Sequence, residues 1–506
     1  MTNGTWADLV TWAVFGLSTL KPTPSVSQAD APIGTRVTID SGVIEGLTGQ
    51  FTTADGAPRV NEYLGIPFGR IPRRFDRAEN PRKWSGILDA TEYRTTCLQQ
   101  FSYPEDARER TIRFFDTPAP PTDEGEDCLH LNVYTPADAQ PGSKAVIFWL
   151  YGGSFKFGSA ALPLYTGAGI AAQQDVIVVT ANYRTNVFGF PGSTDIPLDQ
   201  RNLAFYDQRL ALDWVQRNIG AMGGDPNRVT IVGESAGAGS VDSLVTLPPD
   251  PIPFSAAIME SGQNSVYIDK KDSVKSWAEL VVRVGCDRAF NELDCMRRVP
   301  ATDLLEAEEK AQLTFWPVPD DITWAKRARI NRLQSRDGNS KIARVPILIG
   351  SNADEGTLLQ YGKSPEEQKK YGLLAFQCPA AVVADESHAV GIPTWRYYFN
   401  ASFPNTQFFE GAGAYHSSEI SLIFGTFPIK GTTPGQRVLS AKMQKAWADF
   451  AKNPTAGPGW DQQPALGIID GASATIQNVK DRSRLDAIDK GCAANKLLYD
   501  LISLLQ

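Results

Sequence analysis

Short apolar runs separated by longer, helically spaced stretches set the rhythm of this chain. Residues 145–150, 176–180, 229–232, 256–259 and 345–350 are almost wholly apolar, as strands buried on both faces of a sheet are. Residues 129–134 alternate apolar and polar, and residues 35–44 and 60–66 read as early strands separated by a Gly-rich stretch. Residues 67–74, with two prolines and a glycine, break regular structure, and residues 394–399 read as the last strand. Between these runs, residues 203–218 carry Leu203, Tyr206, Leu210, Leu212 and Val215 at helical spacing. Residues 275–284 and 301–313 predict surface helices, and residues 441–451 and 493–505 predict C-terminal ones. Residues 314–339 show no clear period. Strands alternating with helices predict an α/β fold, a large and mostly parallel central sheet flanked by helices. No repeat, linker or low-complexity tract divides the chain, which reads as a single domain over 30–506.

The run 229–232 ends in Gly233-Glu234-Ser235-Ala236-Gly237, followed by small residues through Ser240. A strand that stops at Gly-x-Ser-x-Gly and passes at once into a helix needs a very tight turn. Its two glycines leave room for the backbone to close, so the Ser235 hydroxyl is pushed out at the strand tip. The helix N-terminus adds partial positive charge beside it. This is the arrangement of a nucleophilic serine.

A serine hydroxyl needs a base, an acid to orient that base, and donors for the developing oxyanion. The chain has three histidines, His130, His388 and His416. In α/β hydrolases the order is serine, acid, histidine, each partner on a loop after a strand. His130 precedes the serine inside a strand pattern. His388 lies ahead of the last predicted strand, in what reads as a solvated loop. His416 follows that strand and is the expected base. Residues 347–357 place Asp354 and Glu355 just past a buried strand, and position alone does not choose between them. Tyr151-Gly152-Gly153-Ser154-Phe155, directly after the run 145–150, has the glycines that let a backbone turn its N–H groups outward.

Composition narrows the partners. Net charge is −8 and pI about 5.2, with no basic patch for nucleic acid or an anionic membrane. Six well-separated cysteines without a C-x-x-C pair, and so few histidines, argue against zinc. No metal or other cofactor is expected. An even cysteine count in so long a chain allows either disulfides or free thiols. Residues 9–20 are apolar over signal-peptide length, too short to span a bilayer, with small residues Ser27 and Ala29 beyond. Residues 1–8 carry no Lys or Arg. Residues 1–29 are read as a signal peptide on the mature domain 30–506 of a secreted protein. No later stretch is long and apolar enough to cross a membrane. Asn400-Ala401-Ser402 is then a glycosylation sequon.

Several segments together resemble the type-B carboxylesterase/lipase family, which includes cholinesterases and fungal extracellular lipases. They are Tyr63-Leu64-Gly65-Ile66-Pro67-Phe68, Glu126-Asp127-Cys128-Leu129-His130-Leu131-Asn132, Tyr151 to Phe155 and Asn182-Tyr183-Arg184. Gly233 to Gly237, Ala353-Asp354-Glu355-Gly356 and the His416 segment complete the match. The resemblance implies the α/β-hydrolase fold with flap loops. It also implies Ser235 as nucleophile, Glu355 as acid, His416 as base, and an oxyanion hole from the N–H groups of Gly153, Ser154 and Ala236. It implies the pairs Cys97–Cys128, Cys286–Cys295 and Cys378–Cys492, and an Arg74–Glu126 ion pair beneath the first flap.

Two departures bear on specificity. Ser154 stands where relatives usually carry glycine, which narrows the hole. The flap between Cys97 and Cys128 has no tryptophan to hold a quaternary ammonium, so choline esters are not expected; Phe101, Tyr103, Phe114 and Phe115 read as its packing. The expectation is a monomeric carboxylic ester hydrolase acting on a small-molecule or lipid ester through an acyl-serine intermediate. A lactonase or transacylase, or a non-catalytic adhesion protein on the same fold, are the alternatives. Residues 315–317, Phe-Trp-Pro, read either as acyl-pocket lining or as surface packing.

Overall fold

The apolar runs assemble, among the described residues, into a sheet of eleven strands. In chain order these are β1 (Leu47–Gln50), β2 (Arg59–Pro67), β3 (His130–Pro136), β4 (Lys144–Leu150), β5 (Ile177–Ala181) and β6 (Gly224–Glu234). They continue with β7 (Ala256–Glu260), β8 (Ile347–Asn352), β9 (Thr394–Asn400), β10 (Leu466–Asp470) and β11 (Thr475–Val479). The computed structural model describes residues 34–50, 59–264, 272–337 and 342–505. The proposed signal peptide, residues 1–29, lies outside them.

Side by side the strands run β1-β2-β3-β5-β4-β6-β7-β8-β9-β10-β11. Every pair from β5 to β10 is parallel, and the pairs at both ends are antiparallel. Parallel strands need crossovers, and their helices cover the sheet faces, which is why the central strands are apolar throughout. Trp149, Trp214, Trp395 and Trp447 are among the largest fully buried side chains. The register aligns Gly233 with Leu150 and Met259, and Glu260 with both Glu234 and Gly350. The carboxyl ends of β4, β6, β7 and β8 therefore meet at one edge, where open α/β sheets bind ligands.

Several local expectations need correction. Residues 35–44 are not one strand but two, Arg36–Ile39 and Gly42–Glu45, folded back at Asp40-Ser41 and joined to Ile87–Asp89 in a separate sheet. Strand β9 is not the last: β10 and β11 follow it. Their sequences, LGIID and TIQNV, carry a glycine and several polar residues, which blunt the apolar signal at and beside the sheet edge. His388 lies not on a loop but on the helix Cys378–Ala389, where it is exposed. The stretch 314–339, which showed no period, holds the helix Ala328–Gln334.

All three cysteine pairs are disulfide-bonded as the resemblance implied. Cys97–Cys128 closes a flap containing helix α1 (Glu105–Phe115). At its base Arg74 grips Glu126 with two hydrogen bonds of 2.7 and 2.6 Å. Phe101 stacks on Phe157, and Phe114 packs on Phe408, Phe409 and Tyr361, so these flap aromatics are packing, while Tyr103 is exposed. Among the described residues no helix is long and apolar enough to cross a membrane.

Candidate active site

Strand β6 passes into helix α2 (Ala236–Thr246) through a single residue, Ser235, whose φ of +55° and ψ of −120° lie outside the ordinary regions for a side chain. Such strain persists only where the surroundings enforce it. Here the Ser235 N–H donates to the Glu260 carbonyl at 2.8 Å, and the Ser235 carbonyl accepts from Gly239 N–H at 3.0 Å. Glycine is required on both sides of the turn. A Cβ on Gly233 would lie 2.9 Å from the Ala238 nitrogen, and one on Gly237 would lie 2.7 Å from the Tyr151 carbonyl oxygen. Every residue of α2 is buried, whereas Ser235 is partly exposed.

After β4 the chain makes three successive left-handed residues, Gly153, Ser154 and Phe155, with φ of +100°, +56° and +57°. Successive N–H groups in such a turn form an anion-binding concavity. The turn abuts the elbow: a Cβ on Gly152 would lie 2.9 Å from the Ser235 Cβ. Ala236 opens α2, so its N–H has no partner within the helix. Ser154 keeps the backbone donor that glycine would supply. Trp316 packs edge-on against Phe155 at 5.1 Å and Phe315 is fully buried, so residues 315–317 back this turn.

The two carboxylates after β8 divide their work. Glu355 accepts the Asn352 N–H at 2.7 Å through Oε1 and meets His416 Nδ1 at 2.6 Å through Oε2. Asp354 instead accepts the Ala414 N–H at 2.9 Å with its carboxylate, while its own N–H donates to the Ala414 carbonyl at 2.9 Å. Asp354 thus fixes the loop that carries His416, and Glu355 fixes the ring. Both Glu355 and His416 are buried. His130, in β3, is buried elsewhere with its pKa lowered by burial.

Glu234 is the residue that sequence reading treated as a letter of the elbow motif. Its Oε1 lies 3.2 Å from His416 Nε2 and accepts the Ser417 hydroxyl at 2.6 Å. Glu419 and Glu260 are buried nearby: Asn352 and Ser261 donate to Glu419, and Trp447 Nε1 donates to Glu260 at 2.6 Å. Phe376 covers His416 with ring centroids 4.6 Å apart. An acid at the polar end of an apolar strand, as in Glu234 and Glu260, was the available signal. Burial pushes the Glu234 carboxyl up to about 7, and burial with the neighbouring negative charges pushes Glu419 up to about 8. Burial likewise holds Glu260 well above the carboxylate range.

Burial disfavours a charged His416 ring, but attraction from Glu234 and Glu355, with the Glu355 hydrogen bond, outweighs it and lifts the pKa to about 9. A base must be neutral to accept a proton, so with His416 in the role expected from the sequence, activity should fall as pH drops below that raised value. Glu234→Gln removes the larger of the two attractions and should move this acid limb of kcat/KM to lower pH. Profiles recorded from pH 5 to 10 check this; superimposable curves would refute the role given to Glu234.

The model of the family described as "Carboxylesterase family" matches residues 34–373 and 368–465, most of the chain. The chain belongs to the carboxylesterase family. It is accordingly a carboxylic ester hydrolase. Carboxylesterase 5A of Canis lupus familiaris is 32% identical over 91% of this chain and 88% of its own length. Para-nitrobenzyl esterase of Bacillus subtilis (strain 168) is 30% identical over 87% of this chain and 96% of its own. A solved structure of PNB esterase superposes with a TM-score of 0.72 at 29% identity, covering 90% of this chain and 99% of that one. Family membership rests on strands β1 to β9 and their loops together, since the matched residues reach from before β1 to just short of β10.

Proposed function

We propose that Ser235, Glu355 and His416 act as a catalytic triad that cleaves carboxylic esters through an acyl-serine intermediate. The observation that carries this reading is the His416 ring held between Glu355 and the elbow. Nδ1 is 2.6 Å from Glu355, and Nε2 faces the residue that precedes Ser235. His416 accepts the Ser235 proton as Oγ attacks the ester carbonyl. The N–H groups of Gly153, Ser154 and Ala236 receive the oxyanion, each such donor contributing about 3 kcal/mol. His416 then protonates the departing alcohol, and water repeats the cycle on the acyl-enzyme.

The substrate on this reading is a small-molecule or lipid ester. The three disulfides support an oxidising compartment. With it come export after removal of residues 1–29, a single mature domain, and glycosylation of Asn400, which ends β9 exposed. A fluorophosphonate probe is the direct test. It is expected to add one phosphonyl group to the peptide containing Ser235 and to abolish turnover in proportion. Full inhibition with the label on any other residue would end the proposal.

A further inference from the structure

The turn that carries the Gly153 and Ser154 amides is held from outside by a junction in which the Asn186 side chain touches both of the loops concerned. Asn186 is buried, with φ of +49°, at the start of the short helix Asn186–Gly189. Its backbone N–H donates to the Phe155 carbonyl at 2.7 Å. Its side-chain NH₂ donates to the Leu98 carbonyl at 2.8 Å and to the Lys156 carbonyl at 3.2 Å. The amide orientation follows from its partners, because the side-chain oxygen accepts the Phe188 N–H at 3.3 Å. Leu98 adjoins Cys97, where the flap is stapled. One amide group therefore spans two loops, the root of the flap and the turn beside Ser235.

Neighbouring contacts reinforce the same junction. The Lys156 carbonyl also accepts the Gln100 N–H at 2.8 Å and the Thr185 hydroxyl at 3.1 Å, and the Gly158 N–H donates to Gln99 Oε1 at 2.7 Å. The turn needs this support because Ser154 and Phe155 both take left-handed backbone that side chains resist. Resting on the oxyanion-hole reading above, we propose that Asn186 is a positioning residue for that hole. Its side-chain amide ties residue 156 to the flap root, which keeps the Gly153 and Ser154 amides aimed at the carbonyl that Ser235 attacks.

Asn186→Gly tests this, since glycine accepts the left-handed backbone and keeps the Phe155 hydrogen bond while losing the amide. The expected result with p-nitrophenyl butyrate is a kcat lowered about tenfold or more, with KM changed by less than about twofold. Affinity for a trifluoromethyl ketone, which forms a tetrahedral oxyanion on the serine, should fall by the same factor as kcat/KM. The acid limb of the pH profile should stay in place. Unchanged kcat and ketone affinity, whatever the melting temperature, would overturn the proposal, as would a loss of activity in which the acid limb also moves. If Asn186→Gly does not fold, Thr185→Val removes a donor from the same Lys156 carbonyl and should give the same signature, smaller; parental kinetics there would likewise overturn it. Failure of the underlying reading looks different: Ser235→Ala would keep its turnover, or bind the ketone as tightly as the parent.

Discussion

Ser235→Ala is expected to lower kcat for a p-nitrophenyl ester by about 10⁵-fold or more while leaving the protein folded. Ser235 is partly exposed and alanine keeps its Cβ while dropping one oxygen, so little packing is lost. The strained backbone is unaffected, because alanine meets the same φ of +55° that serine does. Steady-state kinetics and a thermal melt on one preparation check both halves of the expectation. Turnover within tenfold of the parent would remove Ser235 from the chemistry.

Glu355→Gln should cost about 10³- to 10⁴-fold in kcat, with KM little changed. The carboxylate serves two donors at once, the Asn352 N–H through one oxygen and His416 Nδ1 through the other. A glutamine has one carbonyl and one NH₂. If the carbonyl turns to Asn352, the NH₂ faces Nδ1 and forces the proton onto Nε2, where it blocks the base. If the carbonyl turns to His416, NH₂ meets the Asn352 N–H donor to donor, and a buried group is left unpaired. Either way the imidazolium loses the Glu355 counter-charge and keeps only that of Glu234. Stopped-flow acylation rates read the effect directly; a variant within tenfold of the parent would make Asp354, or neither carboxylate, the acid.

Much of this site was legible because its chemistry is local in sequence. Gly233 to Gly237 encodes a turn that needs glycine at stated positions, and the structure supplies the reason in the Ala238 nitrogen that crowds Gly233 and the Tyr151 carbonyl that crowds Gly237. The parallel core strands were legible because burial on both faces leaves them uniformly apolar. Strands β10 and β11 were not, since at and beside a sheet edge short strands with polar positions read like loops. The split between Asp354 and Glu355 was not readable from position either. Both face a loop some sixty residues away, and which one meets its imidazole and which its backbone is a tertiary fact. The buried acids Glu234, Glu260 and Glu419 escaped for a related reason: single residues in separate segments become a cluster only when strand ends align.

That Asp354 and Glu355 are consecutive has a mechanical consequence. One grips the strap on which the imidazole rides and the other sets its angle, so the two adjustments share a single hinge point in the main chain. The strap cannot drift while the ring keeps its aim, nor the ring swivel while the strap stays seated without cost. Loosening this corner of the molecule by heat should therefore switch the machinery off within a narrow interval rather than blunt it by degrees.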